Sequence, residues 1–369
     1  MLARHLSTSL KFKPALHRDT RASGLSWVDI CADAITAYRA HKVAGEVPDS
    51  SVWNVHSSRA QSAFFKLLET GSPEQLAEYV SLLHERPLLH GYDQHHGITR
   101  KLDEEPERHQ VYATKILLGL FQLGSALGCL RHLKPEQSDN FDYLKTDQTD
   151  EIAQDCATAL GIEGAFPQSG PGLYALSTAR GILSQRHVLA LGYLREIRNT
   201  LEFSGRRYDQ VVEIGGGLGR TAFHAARDLG LAYSIIDLPA VSVSQYLFLR
   251  GNGVEASLWE DTPAKSGQVR LLNAFAAHDP DHFKNSLFVN FDSFVEMARE
   301  TQDAYFDLIR TARGDLLSIN HECNSRMSTQ GDPKNIDLLR FANYGYRPGP
   351  RHMFWEREGY ITETFARIS

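Results

Sequence analysis

Hydrophobic residues recur at helical spacing through about the first 165 residues and follow a different rhythm beyond residue 177. The spacing predicts helices at Trp27 to Ala40, Gln61 to Leu68, Pro73 to Leu83 and Tyr112 to Leu133. A segment rich in proline and glycine, residues 165–173, predicts a loop at a domain boundary. The pattern therefore predicts a mainly helical N-terminal domain, residues 1–165, and a second domain, residues 166–369.

Short apolar runs in the second domain predict buried strands, after a helix predicted from Thr178 to Leu201. The runs lie near residues 210–214, 232–236, 254–258, 286–291 and 314–319, with helices between the main ones. Strands that alternate with helices favour a doubly wound, mostly parallel α/β sheet. Two later segments, Gly349 to Trp355 and Tyr360 to Ile368, predict an antiparallel C-terminal hairpin that closes this sheet.

The strand at residues 210–214 runs directly into a glycine loop, and an acidic residue lies two positions before the first glycine. Glu213 is followed by four glycines, which are Gly215, Gly216, Gly217 and Gly219. Glycine lets the backbone turn sharply and approach a ligand where a Cβ would clash. The helix predicted after the loop, about Arg220 to Leu229, would bring unpaired amide groups to the same place.

Residue 220 separates this loop from two other kinds of glycine loop. A dinucleotide-binding loop counted from Gly215 requires a small residue there, and the residue is Arg220. A P-loop requires Lys and then Ser or Thr after its last glycine, whereas Gly219 is followed by Arg220 and Thr221. The loop resembles instead the S-adenosylmethionine (SAM) loop of class I methyltransferases. That resemblance implies that Glu213 reaches the ammonium group of SAM, directly or through water.

A second carboxylate follows the next predicted strand. Asp237 lies about 20 residues after Gly215, which is the spacing of the acid that binds a ribose diol. This spacing suits NAD as well as SAM, so it supports the fold more than the cofactor. Leu238 and Pro239 follow, and the proline prevents the strand from continuing.

Composition limits the classes of protein to which the chain could belong. Its 369 residues are enough for two domains, and 42% of them are hydrophobic. The net charge of −6 argues against broad nucleic-acid binding, and no apolar run approaches the roughly 20 residues that span a bilayer. Four scattered cysteines favour a reducing, cytoplasmic location. Residues 1–18 contain basic residues, serines and no acid, which is typical of a flexible tail or a transit peptide.

Several segments together resemble the sugar O-methyltransferases of bacterial polysaccharide biosynthesis clusters. They lie between about residues 170 and 325, at Glu213–Gly219, Ile235–Pro239, Gln245–Leu247, Ser286–Asn290, Asp292–Met297, Tyr305–Phe306 and Ser318–Glu322. The resemblance implies a Rossmann-like methyltransferase that uses S-adenosyl-L-methionine and methylates a hydroxyl of a sugar or glycoconjugate. The Asp237-Leu238-Pro239 step is also similar to small-molecule O-methyltransferases of plants. A small aromatic or polyketide hydroxyl is therefore an alternative acceptor, and a methyltransferase-fold module that binds without turnover is another.

Methyl transfer to a sugar hydroxyl needs a base, because the hydroxyl is a weak acid. Doubly wound sheets bind ligands outside the carboxyl ends of their strands, so residues that follow strands are candidates. His321 is the first choice for the base, since imidazole titrates near neutral pH. Glu322 could orient His321 or serve as the base, and His278 is a third candidate.

Other polar residues near predicted strand ends remain open to more than one interpretation. Asn290, Asp292 and Ser293 follow a strand and are expected to line the cofactor site. Residues 278–282, with the spacing H-D-x-D-H, suit either a divalent metal site or a polar loop that opens a helix. The segment His90 to His96 has many hydrogen-bonding groups and one aromatic ring, which suits an acceptor pocket between the domains or a solvated loop. Tyr174 and Arg180 are weaker candidates for acceptor binding.

Overall fold

The computed structural model describes residues 13–18, 27–41, 62–82, 96–130, 148–168, 172–260, 262–276, 278–324, 334–335 and 338–368. The helices are α1 (Trp27–His41), α2 (Ser62–Thr70), α3 (Pro73–Val80), α4 (His96–Glu104), α5 (Arg108–Ala126), α6 (Thr149–Ala159), α7 (Gln185–Phe203), α8 (Arg220–Arg227), α9 (Pro239–Gly251) and α10 (Arg299–Thr311). The strands are β1 (Leu16–Arg18), β2 (Tyr174–Thr178), β3 (Gly181–Leu183), β4 (Gln210–Ile214), β5 (Tyr233–Asp237), β6 (Glu255–Leu258), β7 (Gln268–Asn273), β8 (Ser286–Phe291), β9 (Asp315–Asn320), β10 (Cys323–Asn324), β11 (Lys334–Asn335), β12 (Tyr346–Met353) and β13 (Ile361–Arg367).

The chain forms two compact units that interleave along the sequence. The first consists of Met1–Leu25, Glu78–Leu194 and Trp355–Arg357, and the second of Ser26–Ala77, Arg195–Phe354 and Glu358–Ser369. In the first unit, α5 packs on α6 and buries Ile116, Leu117 and Leu120, and β1, β2 and β3 form a small antiparallel sheet in that order. Helices α1 and α2 belong to the second unit, so the division predicted at residue 165 stays a prediction.

An eight-stranded sheet forms the centre of the second unit, in the order β12-β13-β9-β8-β4-β5-β7-β6. The six strands from β4 to β9 run parallel, and β13 pairs antiparallel with both β9 and β12. Strands β4, β8 and β9 are buried along their whole length, as expected for parallel strands covered on both faces. The predicted fold class, a Rossmann-like, doubly wound, mostly parallel sheet with an antiparallel C-terminal hairpin, is confirmed.

Side chains of opposite faces of this sheet pack against different helices. On one face, Val212 and Ile236 join a buried cluster that includes Phe306 and Ile309 of α10. Strands β5 and β7 contact α8 and α9. The apolar runs recognised in the sequence are therefore the residues that these helices cover.

One predicted helix is wrong at its beginning. The helix predicted from Thr178 starts at Gln185, because residues 174–183 form the β2–β3 hairpin. Gly181 has a φ of +127°, which the turn requires and which glycine allows. Ser184 then caps α7, since its Oγ accepts a hydrogen bond from the amide of His187 at 3.1 Å.

One buried strand is absent from the sequence predictions. Strand β7 contains Arg270, a charged residue that interrupts the apolar run by which buried strands are recognised. Arg270 is nevertheless 2% exposed. Its guanidinium donates to the carbonyl of Thr262 at 2.9 Å and lies 5.1 Å from the centre of the Phe283 ring. A paired arginine can therefore occupy a strand that its charge alone would exclude.

Some predictions fall partly or wholly outside the described residues. These are most of the N-terminal segment 1–18, the end of the helix predicted to Leu133 and the polar cluster His90 to His96, of which only the backbone of His96 is described. Within the described part, the long helix already ends at Ala126, and Gly128 follows with a φ of +75°. Among the described helices, none is long and apolar enough to cross a membrane.

Candidate cofactor and catalytic site

The glycine loop follows the carboxyl end of β4 and leads directly into α8. The amide of Gly215 donates to the carbonyl of Ile236 at 3.0 Å, and the amide of Gly219 donates to the carbonyl of Gly216 at 2.9 Å. Gly219 is the N-cap of α8 and has a φ of +86°, a left-handed conformation that favours glycine. The loop therefore turns tightly and places the beginning of α8 beside the end of β4.

Gly215 is a point of close approach between β4 and the segment after β8. Its φ is +76°, and a Cβ at this position would lie 2.4 Å from Oγ and 2.7 Å from Cβ of Ser293. The Ser293 hydroxyl donates to the carbonyl of Ile214 at 2.9 Å. Ser293 is held against the loop by this bond, so it cannot give way easily to a larger residue.

We expect Gly215→Ala to lower the free energy of unfolding by roughly 2–4 kcal/mol, because the new Cβ meets Ser293 and the backbone conformation disfavours L residues. Chemical denaturation measures this change. Gly253→Ala is the matched control, since Gly253 has a φ of +77° and open space around the added Cβ. The control is expected to cost about 1–2 kcal/mol from conformation alone. Equal losses of unfolding free energy in the two variants would show that the close contact with Ser293 does not add to the loss in Gly215→Ala.

Glu213, the acidic residue of the motif, is buried near the end of β4. It is 2% exposed, and its Oε2 accepts a hydrogen bond from the hydroxyl of Tyr233 at 3.1 Å. Burial raises the pKa of Glu213 to about 8; the Tyr233 bond lowers this pKa, and the charge of Asp237 raises it further. Among the described residues, none of the groups that shift this pKa is a cation. A positively charged ligand group would stabilise the ionised carboxylate in this position.

Asp237 ends β5 and is tied to the same loop. Its Oδ2 accepts hydrogen bonds from the amide of Gly216 at 2.9 Å and from Nε2 of Gln245 at 2.8 Å. Its Oδ1 accepts from the amide of Leu238 at 2.8 Å. Burial raises the pKa of Asp237 to about 7 although these hydrogen bonds lower it. An ionised carboxylate has about four acceptor positions, so a ribose diol at Asp237 would share its oxygens with the loop.

Asn290 connects the ends of three neighbouring strands. It is fully buried, and its Nδ2 donates to the carbonyl of Ile214 at 2.8 Å and to Oγ of Ser293 at 2.5 Å. Its Oδ1 accepts from the amide of Phe294 at 3.1 Å and from Nδ2 of Asn320 at 2.9 Å. These four bonds use the hydrogen-bonding positions of the amide group. Direct contact of Asn290 and Ser293 with a cofactor therefore stays a prediction.

The carboxyl ends of β8 and β9 bring Asp292 and His321 together. The two strands are adjacent and parallel, so the residues that follow them lie side by side. Nδ1 of His321 lies 3.3 Å from Oδ1 of Asp292, and the side chains are 25% and 13% exposed. A carboxylate at Nδ1 favours the neutral imidazole that carries its proton there, which leaves Nε2 as the proton acceptor.

Tyr360 joins this pair from the antiparallel hairpin. Its hydroxyl donates to Oδ1 of Asp292 at 2.6 Å, and its ring centre lies 5.2 Å from that of His321. Tyr360 precedes β13, and the register of β13 with β9 pairs Ile361 with Asn320. The sequence candidates are residues that follow predicted strands, whereas Tyr360 precedes β13. An antiparallel strand places its first residues at the edge where the parallel strands end, so the strand-end rule does not point to Tyr360.

The other two candidates for the base have different surroundings. Glu322 is 53% exposed and pairs with Arg351 of β12, which also binds Glu363 at 2.8 Å. His278 lies in the connection between β7 and β8, and its ring packs edge-on against Phe283 with 5.9 Å between ring centres. Phe283 lies just before the amino end of β8, whereas His321 follows the carboxyl end of β9. The arrangement favours His321, with Asp292 as its carboxylate partner.

Asp279 and Asp281 of the H-D-x-D-H segment make their contacts with residues that are near them in the chain. Oδ1 of Asp279 accepts from the amide of Asp281 at 2.9 Å and caps the 3₁₀ helix Pro280–Phe283. Asp281 pairs with Lys284 at 2.9 Å. Within the described ranges, no three His, Cys, Asp or Glu side chains come together as a metal ion would require. These contacts favour the polar-loop interpretation of residues 278–282.

Tyr174 and Arg180 both have partners in the first compact unit. Tyr174 donates to Asp103 at 2.7 Å, and Nε of Arg180 donates to Gln154 at 2.6 Å. Their role in acceptor binding stays a prediction. A cavity of about 450 Å³ lies in the second unit, and its lining residues include Phe203, Asp315 and Thr362. None of its lining residues belongs to the glycine loop or to the Asp292–His321 pair.

Comparison with known proteins finds similar structures but no family. No family model matches the chain, and no curated protein matches it with significance. A SAM-dependent methyltransferase from Aquifex aeolicus is 14% identical over 46% of this chain and 87% of that chain, with a TM-score of 0.33. PigF with S-adenosylhomocysteine (SAH) is 16% identical over 91% of this chain and 95% of that chain, also at 0.33. Magnesium protoporphyrin IX methyltransferase from Synechocystis PCC 6803 with bound SAH is 11% identical over 60% and 97%, at 0.35. Cofactor and acceptor are therefore inferred from the residues of this chain.

Proposed function

We propose that this protein is a SAM-dependent methyltransferase that acts on a hydroxyl group. The observation that supports this proposal best is the Glu213 carboxyl beside the glycine loop, which is buried and whose pKa burial raises to about 8. The ammonium group of SAM would supply a positive charge that stabilises the ionised carboxylate. The pyrophosphate of a dinucleotide is negatively charged and would be repelled by an ionised Glu213.

The cofactor would be held by the carboxyl ends of β4 and β5. The glycines of the loop allow the backbone to approach a ligand closely, and Glu213 and Asp237 offer acceptor oxygens for an ammonium group and a ribose diol. The residues beside these strand ends are Leu238, which follows β5, and Asp292 and Ser293, which follow β8. Bound SAM supplies a methyl group that is already activated for displacement. The protein has to position the acceptor and take its proton.

His321 is the base in this proposal. The Asp292 carboxylate close to Nδ1 favours the imidazole proton on that nitrogen, so Nε2 accepts the hydroxyl proton and the ring becomes positively charged. The Asp292 carboxylate, 3.3 Å from Nδ1, stabilises that charge. This arrangement suits an oxygen nucleophile, because a hydroxyl must lose its proton as it attacks.

The proposed acceptor is a hydroxyl of a sugar or glycoconjugate. His321 lies beside the Asp292 carboxylate and the Tyr360 ring, a combination of a polar group and an aromatic face that suits carbohydrate. A small aromatic or polyketide hydroxyl is the second candidate, because the Asp237-Leu238-Pro239 step is similar to the plant enzymes. We propose a cytoplasmic location, since Cys31, Cys129 and Cys156 are free thiols.

Calorimetric titration tests the cofactor. We expect SAH to bind saturably and NADH not to bind. Asp237→Asn is expected to weaken SAH binding about ten-fold, which corresponds to about 1.4 kcal/mol, because it removes the charge that holds the diol. Asp315→Asn is the matched control, since Asp315 accepts from Arg206 and Tyr208 at the opposite end of the sheet.

Each outcome of this titration has a distinct meaning. Binding of NADH alone would overturn the proposed cofactor. Equal weakening by Asp237→Asn and Asp315→Asn would show a general effect on the fold in place of a ribose contact. Binding of SAH without transfer of a labelled methyl group from SAM to any of a panel of methyl glycosides and catechols would favour the module without turnover.

A further inference from the structure

We propose that Tyr360 is a positioning residue that holds the Asp292 carboxylate against His321 and so keeps the imidazole proton on Nδ1. The inference rests on the proposed function, since it assigns His321 the role of base. Tyr360 belongs to neither the glycine motif nor the strand ends that the sequence points to. It enters the site because the turn between β12 and β13 returns the chain to the carboxyl end of β9.

The distances show which contact controls the position of the carboxylate. Oδ1 of Asp292 is 2.6 Å from the hydroxyl of Tyr360 and 3.3 Å from Nδ1 of His321. The first is a short hydrogen bond to a charged acceptor. The second places a carboxylate oxygen at ion-pair distance from Nδ1, without the geometry of a hydrogen bond. The same oxygen therefore lies near both groups, and the short bond from Tyr360 helps to hold it there.

Backbone hydrogen bonds hold the main chain of Asp292 and of Tyr360 in place. The amide of Asp292 donates to the carbonyl of Ile319 at 2.9 Å, while Asp292 has a φ of +61°, an uncommon conformation for a residue other than glycine. Tyr360 is 6% exposed, and its carbonyl accepts from the amide of Phe354 at 2.8 Å. The Tyr360 hydroxyl therefore reaches the Asp292 carboxylate from a buried side chain whose own backbone is hydrogen-bonded.

The position of the Asp292 carboxylate influences which nitrogen of His321 carries the proton. A neutral imidazole can accept a proton only at the nitrogen that carries none, and a carboxylate close to one nitrogen favours the proton on that nitrogen. If the Asp292 oxygen moves away, a part of the molecules carries the proton on Nε2 and cannot act as a base there. Tyr360 thus influences the reaction through Asp292 and His321 without touching the acceptor.

Nitrogen-15 NMR of histidine-labelled protein tests this inference, with the His321 signals assigned from a His321→Asn variant. The wild type is expected to show the Nδ1–H tautomer. Tyr360→Phe, which keeps the ring and removes only the hydroxyl, is expected to move a substantial fraction to Nε2–H. It should also lower kcat about ten-fold, with the KM for SAM unchanged. Asp292→Asn should produce the larger change of tautomer.

Tyr208→Phe is the matched control. Tyr208 also donates to an aspartate, Asp315, at 2.8 Å, but at the amino end of β9, so its loss should change neither the tautomer nor kcat. Tyr360→Leu, which also lacks the hydroxyl, replaces Tyr360→Phe if that variant does not fold. An unchanged Nδ1–H tautomer and an unchanged kcat in a folded Tyr360 variant would overturn the inference.

The NMR measurement needs neither SAM nor an acceptor, so it separates this inference from the proposed function. Failure of the proposed function would appear as a wild type that does not bind SAH. Failure of the inference would appear as a tautomer that does not depend on the Tyr360 hydroxyl. Each result is read from a different experiment on the full chain.

Discussion

Replacing His321 by asparagine is expected to lower kcat for methyl transfer about 10²- to 10⁴-fold, because the acceptor proton then has no base. Asp292→Asn is expected to cause a loss of similar size, since an amide at this position favours the tautomer with the proton on the wrong nitrogen. Affinity for SAH should stay within about two-fold of the wild type in both variants. Transfer of a tritiated methyl group from SAM to the active member of the glycoside and catechol panel measures kcat, and calorimetry measures affinity.

The other two candidate bases provide the controls for this result. Glu322→Gln is expected to change kcat by no more than about three-fold, because the Glu322 carboxylate is largely exposed and pairs with Arg351. His278→Asn should have a similarly small effect, since His278 packs against Phe283 in the β7–β8 connection. A large loss in either of these variants, with activity retained in His321→Asn, would show that the base has been assigned to the wrong residue.

Glu213→Gln is expected to stabilise the protein above about pH 5 and to weaken SAM binding about 10- to 100-fold. The stabilisation follows from burial, which raises the pKa of Glu213 from its ordinary value of 4.5 to about 8. Below pH 4.5 the group is protonated in both the folded and the unfolded chain. Between pH 4.5 and about 8 the folded chain holds a proton that the unfolded chain has lost, so the free energy of unfolding falls as pH rises.

Glu213→Gln has no carboxyl to ionise at this position. Its free energy of unfolding should therefore exceed that of the wild type by an amount that grows with pH. The difference in the free energy of unfolding should be close to zero near pH 4.5. It should reach the order of a few kcal/mol near pH 8 and stay constant above. Burial of Asp237, whose pKa is raised to about 7, causes a parallel loss that persists in the variant. Chemical denaturation at several pH values between 4 and 9 measures the difference.

The effect of Glu213 on binding has its own signature. An ammonium group stabilises the ionised carboxylate, so binding of SAM should release a proton from Glu213, and affinity should rise with pH up to about 8. Calorimetry in buffers of different ionisation enthalpy detects that proton. Glu196→Gln, which changes a buried glutamate that pairs with Arg195, is the control and should bind SAM as the wild type does. Undiminished affinity and proton release in Glu213→Gln would exclude Glu213 as the partner of the ammonium group.

Helices, strands and loops that depend only on residues close together in the chain could be predicted from the sequence. Strands β4 and β8 have the predicted bounds, because each is a short, mostly apolar run that is followed by glycine or by polar residues. The glycine loop and α8 follow from the same local chemistry. The predictions failed where a distant partner changes the meaning of a residue. Arg270 lies in a strand because Thr262 and Phe283 accommodate its charge, and Thr178 lies in a hairpin because β3 pairs with β2.

The sequence by itself determined the sheet class, the loop and the residue types at the strand ends, because these depend on short-range periodicity and on the chemistry of single residues. Only the tertiary structure decided which of those residues are partners. It joined His321 to Asp292 in place of Glu322, and it brought Tyr360 to a carboxylate 68 residues away. Such pairs depend on strand order and register, in which residues distant along the chain meet at one edge of the sheet.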